Sequence, residues 1–393
     1  MEPAIVNSFL YIITLYIYIY IRRKIDVGFV ILTLYAITAV LCVLYLKDHQ
    51  NEWDLNYWSF IYLYVIVMLA VRPFLMDTSS FINKIKIRNI NFLNNFIYIY
   101  CFCALIDIYY GSSLAIENVN SGEWATLRMD MYAGEIKLYN NQIERFAKIF
   151  VSYLKPLAII ILFVSLIYKN INKKWLFFLT LSIVFTTFLV AINTASRGLI
   201  VSLIFSFLCA FIWFKNKLNS KIKRTIYFIG SSFLVLFLIY SIAVTNSRFG
   251  DGDQSSSLLF YFGHSMLVFN YGLTDTIEAF GNGSYFFDWL IKFLGYTPID
   301  ISDLGTHFGT SFFTFVGAWY IDFGPNGTFI IALLIPMYFV RILKKQVIGI
   351  PELFLCFVYL NYLFMGVFVI GRNNSIAWIS TIIIYLLLKI KRV

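Results

Sequence analysis

Apolar residues run along this chain in long blocks, and polar residues gather in short intervals between them. A helix needs about 20 apolar residues to cross the hydrocarbon core of a bilayer. Eleven blocks come close to that length, at about 4–21, 25–46, 56–75, 92–110, 146–168, 175–194, 198–214, 225–245, 326–343, 352–370 and 375–389. The pattern predicts an all-α polytopic membrane protein forming a single integral domain over 1–393. Two further aromatic stretches, 257–269 and 310–323, are apolar but too short to span. They are predicted as re-entrant or interfacial helices, which survive at membrane depth only where they line a cavity. Taking both as spans instead gives thirteen and keeps the same parity. No internal repeat is visible.

The polar intervals set the orientation. Those at 22–24, 72–88, 169–174, 215–224, 341–345 and 389–392 together hold 21 of the 31 basic residues. Every second interval is therefore basic, and the positive-inside rule places this set in the cytoplasm. The N-terminus is then outside and the C-terminus inside. The first apolar run is followed, not preceded, by Arg22, Arg23 and Lys24, so it reads as a first span and not as a cleavable signal. Two outer connections are long, at about 111–145 and 246–325, while the inner ones are short. Function is expected on the outer loops, which a rigid scaffold would hold.

Composition sharpens the exclusions. The chain is 60% apolar and 13% charged, with a mean hydropathy of +0.77. Soluble domains carry about 25% charged residues. An ordinary cytosolic enzyme, a disordered chain and a nucleic-acid-binding module are all ruled out. The net charge of +10 reports topology before it reports a polyanion partner. All five cysteines lie in apolar runs, with neither zinc-site spacing nor a disulfide framework.

Ionisable residues at the edge of a bilayer are costly and are functional candidates by default. Arg197 stands in Asn193-Thr194-Ala195-Ser196-Arg197-Gly198, a near-loopless hairpin on the outer side. Its planar fork of donors suits phosphate, Ser196 is placed to cap the next helix, and Gly198 leaves the backbone approachable. The plainer alternative is an arginine snorkelling to lipid headgroups. Arg248, where the large outer loop begins, would lie at similar depth, and two such arginines could grip a diphosphate. Arg145 opens a span and could reach the same cavity. Arg372 occupies a tight outer turn, where a water-facing role competes with function. Arg128 and its neighbours read as a solvated amphipathic face. Asp107 and Lys155 are expected to form an intramembrane ion pair. His307, set between Gly305 and Gly309, is a general-base candidate, and Asp303 and Asp300 are alternative bases. Asp322, in Tyr320-Ile321-Asp322-Phe323-Gly324-Pro325, reads as a site-shaping anion that satisfies free helix amides. No ligand cluster points to a metal, and no cofactor motif is found.

With those residues in view, the chain resembles the Wzy-type oligosaccharide repeat-unit (O-antigen or capsule) polymerases. The resemblance covers the whole architecture. Its sharper parts are Ala195-Ser196-Arg197-Gly198 and the run from Thr310-Ser311-Phe312-Phe313-Thr314-Phe315 through Tyr320-Ile321-Asp322-Phe323-Gly324 to Gly327. The family's loop pattern, with a glycine eleven positions after an arginine, is not reproduced after Arg248, because position 259 is Leu259. The resemblance implies a metal-independent, GT-C-like glycosyltransferase of the bacterial inner membrane. Its donor would be a polyprenyl-diphosphate-linked oligosaccharide, with a chain-length regulator and a flippase as partners. It also implies that Arg197 and Arg248 hold the leaving diphosphate, with Arg372 and Arg145 as further cations, and that Ser196, Gly198, Tyr320, Asp322 and Gly324 shape the site. An O-antigen ligase and a lipid-linked oligosaccharide flippase are the alternatives. The first would share the donor and the loop arginines, and the second would need charges deep inside the helices.

Overall fold

The computed structural model describes residues 1–49, 53–76, 81–87, 89–133, 139, 141–168, 172–249, 254–274, 276–299, 304, 312–368 and 374–391. The candidate bases Asp300, Asp303 and His307, and Arg372, lie outside the described residues.

Among the described residues all regular elements are helical. They are α1 (Glu2–Arg22), α2 (Val27–Asp48), α3 (Tyr57–Leu75), α4 (Ile90–Ser121), α5 (Trp124–Ala133), α6 (Gln142–Ile167), α7 (Lys173–Asn193), α8 (Arg197–Phe214), α9 (Ser220–Phe249), α10 (Gln254–Leu267), α11 (Asp288–Phe293), α12 (Thr314–Lys344), α13 (Ile350–Met365) and α14 (Asn374–Ile390). A π-helical turn, Val268–Leu273, continues α10. Nine of the described helices are long and apolar enough to cross a membrane: α1, α2, α3, α4, α6, α7, α8, α9 and α12. The chain is thus a polytopic, membrane-embedded helical protein. The apolar helices α13 and α14 have 16 and 17 residues and fall short of that length.

Many helix starts follow simple capping chemistry. Asp26, Asn56, Asn89 and Asn141 each accept a backbone N–H from the first turn they precede. Two elements differ from the hydropathy pattern. Helix α4 runs on to Ser121, well past the apolar block ending near 110, because its next turns hold helix formers such as Leu114, Ala115 and Glu117. It stops at Gly122, whose φ of 67° is the left-handed cap conformation. Helix α12 joins the short stretch, from Thr314 onward, and the block 326–343 into one element, broken at Gly324. Pro325 follows the break, and proline suits a first helical position because its missing N–H would have no intrahelical partner there.

Close packing divides the chain into two compact units. One comprises Met1–Ile85, Ser255–Ile348 and Val358–Leu386, and the other Lys86–Gln254, Gly349–Phe357 and Leu387–Val393. Hydropathy alone gives no such boundary. In the first unit α1, α2 and α3 pack on one another, and α12 packs on α3. Its interior is aromatic, with Tyr11, Tyr35, Phe60, Phe315 and Tyr359 fully buried. The Tyr35 hydroxyl donates to the Leu363 carbonyl at 3.1 Å, and that of Tyr359 to the Ala70 carbonyl at 2.8 Å. Between helices in lipid, such packing and hydrogen bonding take the place of the hydrophobic effect. In the second unit α4, α6, α7 and α8 pack together, and α5 lies on α9. None of the most apolar stretch of α9 is buried, which leaves Phe228, Leu236, Leu238 and Ile239 to face lipid.

Candidate functional site

The hairpin between α7 and α8 is where α4, α5 and α9 of the second unit converge. Helix α7 ends at Asn193, and the chain reverses through Ala195, a non-glycine residue at φ 45°. That conformation is strained, and surrounding contacts hold it. The Ser196 amide donates to the Ala191 carbonyl at 2.9 Å, and the Ala195 amide to the Ile192 carbonyl at 3.2 Å. Ala195 is buried with Trp124 and Leu127 of α5 and Val244 of α9. The Tyr240 hydroxyl donates to the Ala191 carbonyl at 2.9 Å, and the Asn193 side-chain Nδ2 to the Gly111 carbonyl of α4 at 3.0 Å. Arg128 donates from Nη1 to the Thr194 carbonyl at 3.0 Å.

Two arginines therefore belong to this turn, one bonded to its backbone and one following it in sequence. Arg128 is half-buried against the hairpin, and Arg197 is half-buried as the first residue of α8. The first amides of α8 point out of the helix without intrahelical carbonyls, which is an anion-attracting arrangement. Ser196 occupies the cap position, but its hydroxyl makes no capping bond, contrary to its expected role. Its backbone (φ −108°, ψ 107°) is extended, and the Ala195 turn sets its direction. A methyl group added at Gly198 would meet nothing within 4 Å, so the backbone there is open to a ligand. Arg248 lies one helical turn beyond Val244 on α9, which puts its backbone at the same end of that helix. Arg145 is exposed and its guanidinium lies over the Tyr139 ring, 5.2 Å from the centroid. Arg145 does not figure among the described contacts of the hairpin.

The first unit has a different construction, centred on Asp322. This carboxylate is buried and accepts the Tyr285 amide at 2.9 Å on Oδ1 and the Phe286 amide at 2.7 Å on Oδ2. Backbone bonds from Gly281 to the Ile321 carbonyl (2.8 Å) and from Asn282 to the Asp322 carbonyl (3.1 Å) complete the clamp. Asp322 thus satisfies free amides, as expected, but they belong to the 281–286 turn and not to its own helix. Gly324 adopts φ 63°, ψ −173°, which is essentially restricted to glycine, and lets the chain leave the clamp. Tyr320 is enclosed by Tyr62, Phe269 and Phe280, with ring centroids at 6.1, 5.7 and 5.9 Å. The clamped turn also holds its neighbours. Glu278 donates its amide to the Leu304 carbonyl at 3.0 Å, and Trp289 donates its indole N–H to the Ser375 hydroxyl at 2.9 Å. Leu304 adjoins Asp303 in sequence, and Ser375 lies just beyond Arg372.

Compared with known proteins, the chain matches no family model, no curated protein and no solved structure.

The expected ion pair between Asp107 and Lys155 does not form. Asp107 is buried on α4 with Lys148, Lys155 and Glu144 as its charged neighbours, and no salt bridge joins it to Lys155. His264 is buried edge-on to Trp53 and Tyr45, at 5.3 and 5.9 Å, in an aromatic setting that serves packing. Among the described residues no three His, Cys, Asp or Glu side chains come together as metal ligands.

Two contributors were not visible in the sequence. Arg128 reads as part of a solvated face, yet Trp124 and Leu127, three residues apart, already mark an apolar stripe that turns the helix toward a neighbour. Asn270 holds Asn56 by two bonds, accepting its amide at 2.9 Å and donating to its carbonyl at 2.7 Å. The two lie far apart in sequence, and no local pattern links them.

Proposed function

We propose that the protein is a membrane glycosyltransferase that joins polyprenyl-diphosphate-linked oligosaccharide repeat units into O-antigen or capsular polysaccharide at the outer face of the bacterial inner membrane. The observation that carries this reading is the arginine-bearing end of α8. There Arg197, the open backbone at Gly198 and the half-buried Arg128 come together beside the end of α9. In the reaction, a hydroxyl of one lipid-linked unit attacks the anomeric carbon of another. The glycosidic bond to the diphosphate breaks, and negative charge grows on the departing polyprenyl diphosphate. Guanidinium groups and helix-terminal amides stabilise charge that develops in this way. Arg248 adds a third cation from α9, with Arg372 and Arg145 as further candidates. Asp300, Asp303 and His307, outside the described residues, stay the candidates for the base that takes the hydroxyl proton. The clamp makes Asp322 a positioning residue in this scheme. No metal is needed, because the arginines carry the charge stabilisation. The reading includes eleven spans in a GT-C-like arrangement, with α13 and α14 as short spans, the N-terminus outside and the C-terminus inside.

A second reading is supported by one observation. Asp107, Glu144, Lys148 and Lys155 place four charges near each other in the membrane-embedded unit, which suits a lipid-linked oligosaccharide flippase.

Deleting the gene distinguishes the readings. Loss of a polymerase leaves a single attached repeat unit and removes the ladder of longer products. Loss of a ligase leaves long chains on the carrier lipid, and loss of a flippase strands single units on the cytoplasmic side. An unchanged ladder would refute the proposal.

A further inference from the structure

A groove of about 250 Å³ lies between α3 and α12, at the end of these helices that leads into the basic connections. Its body is apolar, formed by residues such as Leu69, Ala332 and Met337. Its rim carries three cations, Arg72 in the last turn of α3 and Arg341 and Lys344 in the last turn of α12. Arg341 and Lys344 are three residues apart and share one helix face. All three side chains are exposed, and none makes an ion pair with an acidic side chain among the described residues. Other cations near this end are engaged: Arg22 donates to the Leu75 carbonyl at 2.7 Å, and Lys84 to the Leu343 carbonyl at 3.5 Å.

An apolar trough that ends in three cations, none paired with an acidic side chain among the described residues, has the chemistry that an anionic phospholipid needs. Acyl carbons would lie on Leu69, Leu333 and Met337, and the phosphate would meet the cations.

We propose that this groove binds an anionic glycerophospholipid, with Arg72, Arg341 and Lys344 holding its phosphate. Basic pockets between spanning helices are suited to anionic headgroups, and each cation near such a surface strengthens binding about fivefold. This site is independent of the proposed glycosyl transfer. The proposed occupant is a lipid and not a soluble phosphate, because the cations border an apolar wall formed by Leu69, Leu333, Met337 and Val340.

The test is lipid retention by the purified full-length protein, measured by native mass spectrometry with phosphatidylglycerol and phosphatidylcholine of identical acyl chains. The wild type retains phosphatidylglycerol preferentially. The triple variant Arg72→Gln/Arg341→Gln/Lys344→Gln loses that preference, while the control Lys173→Gln/Lys174→Gln keeps it. Met337→Glu, a change at an exposed position in the trough, weakens retention of phosphatidylglycerol with the cations intact. Equal retention of the two lipids by the wild type would overturn the proposal, as would an unchanged preference in the triple variant. Displacement of the lipid by inorganic phosphate alone would assign the cations to a soluble anion and overturn the lipid reading.

Discussion

Asp322 and Arg197 have opposite characters although both sit at helix breaks. The Asp322 carboxylate is buried and accepts two backbone amides, so its charge is consumed in holding the 281–286 turn. Replacing it with asparagine keeps the shape but turns one acceptor into a donor that faces a backbone N–H. An unsatisfied buried group costs about 1–3 kcal/mol. Asp322→Asn is therefore expected to lower the melting temperature of the detergent-solubilised protein, whereas Arg197→Ala, at a half-buried helix end, leaves it nearly unchanged. A melting temperature unaltered by Asp322→Asn would contradict the clamp. Both residues were legible in the sequence because turn-forming glycine, proline and serine surround them. The partners of Asp322 were not, since Tyr285 and Phe286 offer only backbone amides, which every residue carries. Arg128 was misread because its burial depends on where α5 lands, not on its immediate neighbours.

Most helices were legible as elements, since a block of about 20 apolar residues leaves the chain few alternatives. The limits of α4 and α12 were not. In α4 the helix outlasts its apolar block, and hydropathy is blind to amphipathic extension. In α12 a half-helix and a span form one element whose hinge is a single glycine. The hinge residue makes a distinct prediction. Gly324 sits where any side chain is strained, and its added Cβ would approach the Phe280 ring at 3.0 Å. Gly324→Ala is expected to cost about 1–3 kcal/mol and to reduce the amount of folded protein in the membrane. Gly198 provides the contrast, because alanine fits there freely and favours the helix. Gly198→Ala is expected to preserve folding, read by melting temperature and yield, while lowering polymer output if a ligand approaches this backbone. Equal loss of folded protein in both variants would show that the two glycines act alike.

For the molecule as a whole, the charge alternation along the chain makes a prediction about which side each connection occupies. A cysteine placed at Ser255 is expected to react with a membrane-impermeant thiol reagent in cells with a permeabilised outer membrane, and one at Asn219 is not. The five native cysteines are buried and should give little background. Labelling in the opposite sense would invert the topology and remove the outer-face site with it.

The central claim is that the cationic end of α8 holds a departing polyprenyl diphosphate while repeat units are joined. Its most direct measurement is chain extension by purified protein in liposomes supplied only with lipid-linked repeat units. The account predicts products longer than one unit from the wild type, in the presence of chelator. It predicts none from Arg197→Ala at the same melting temperature, and partial recovery with Arg197→Lys, which restores charge without the planar fork. Absence of extension by folded wild-type protein, or full extension by Arg197→Ala, would contradict it.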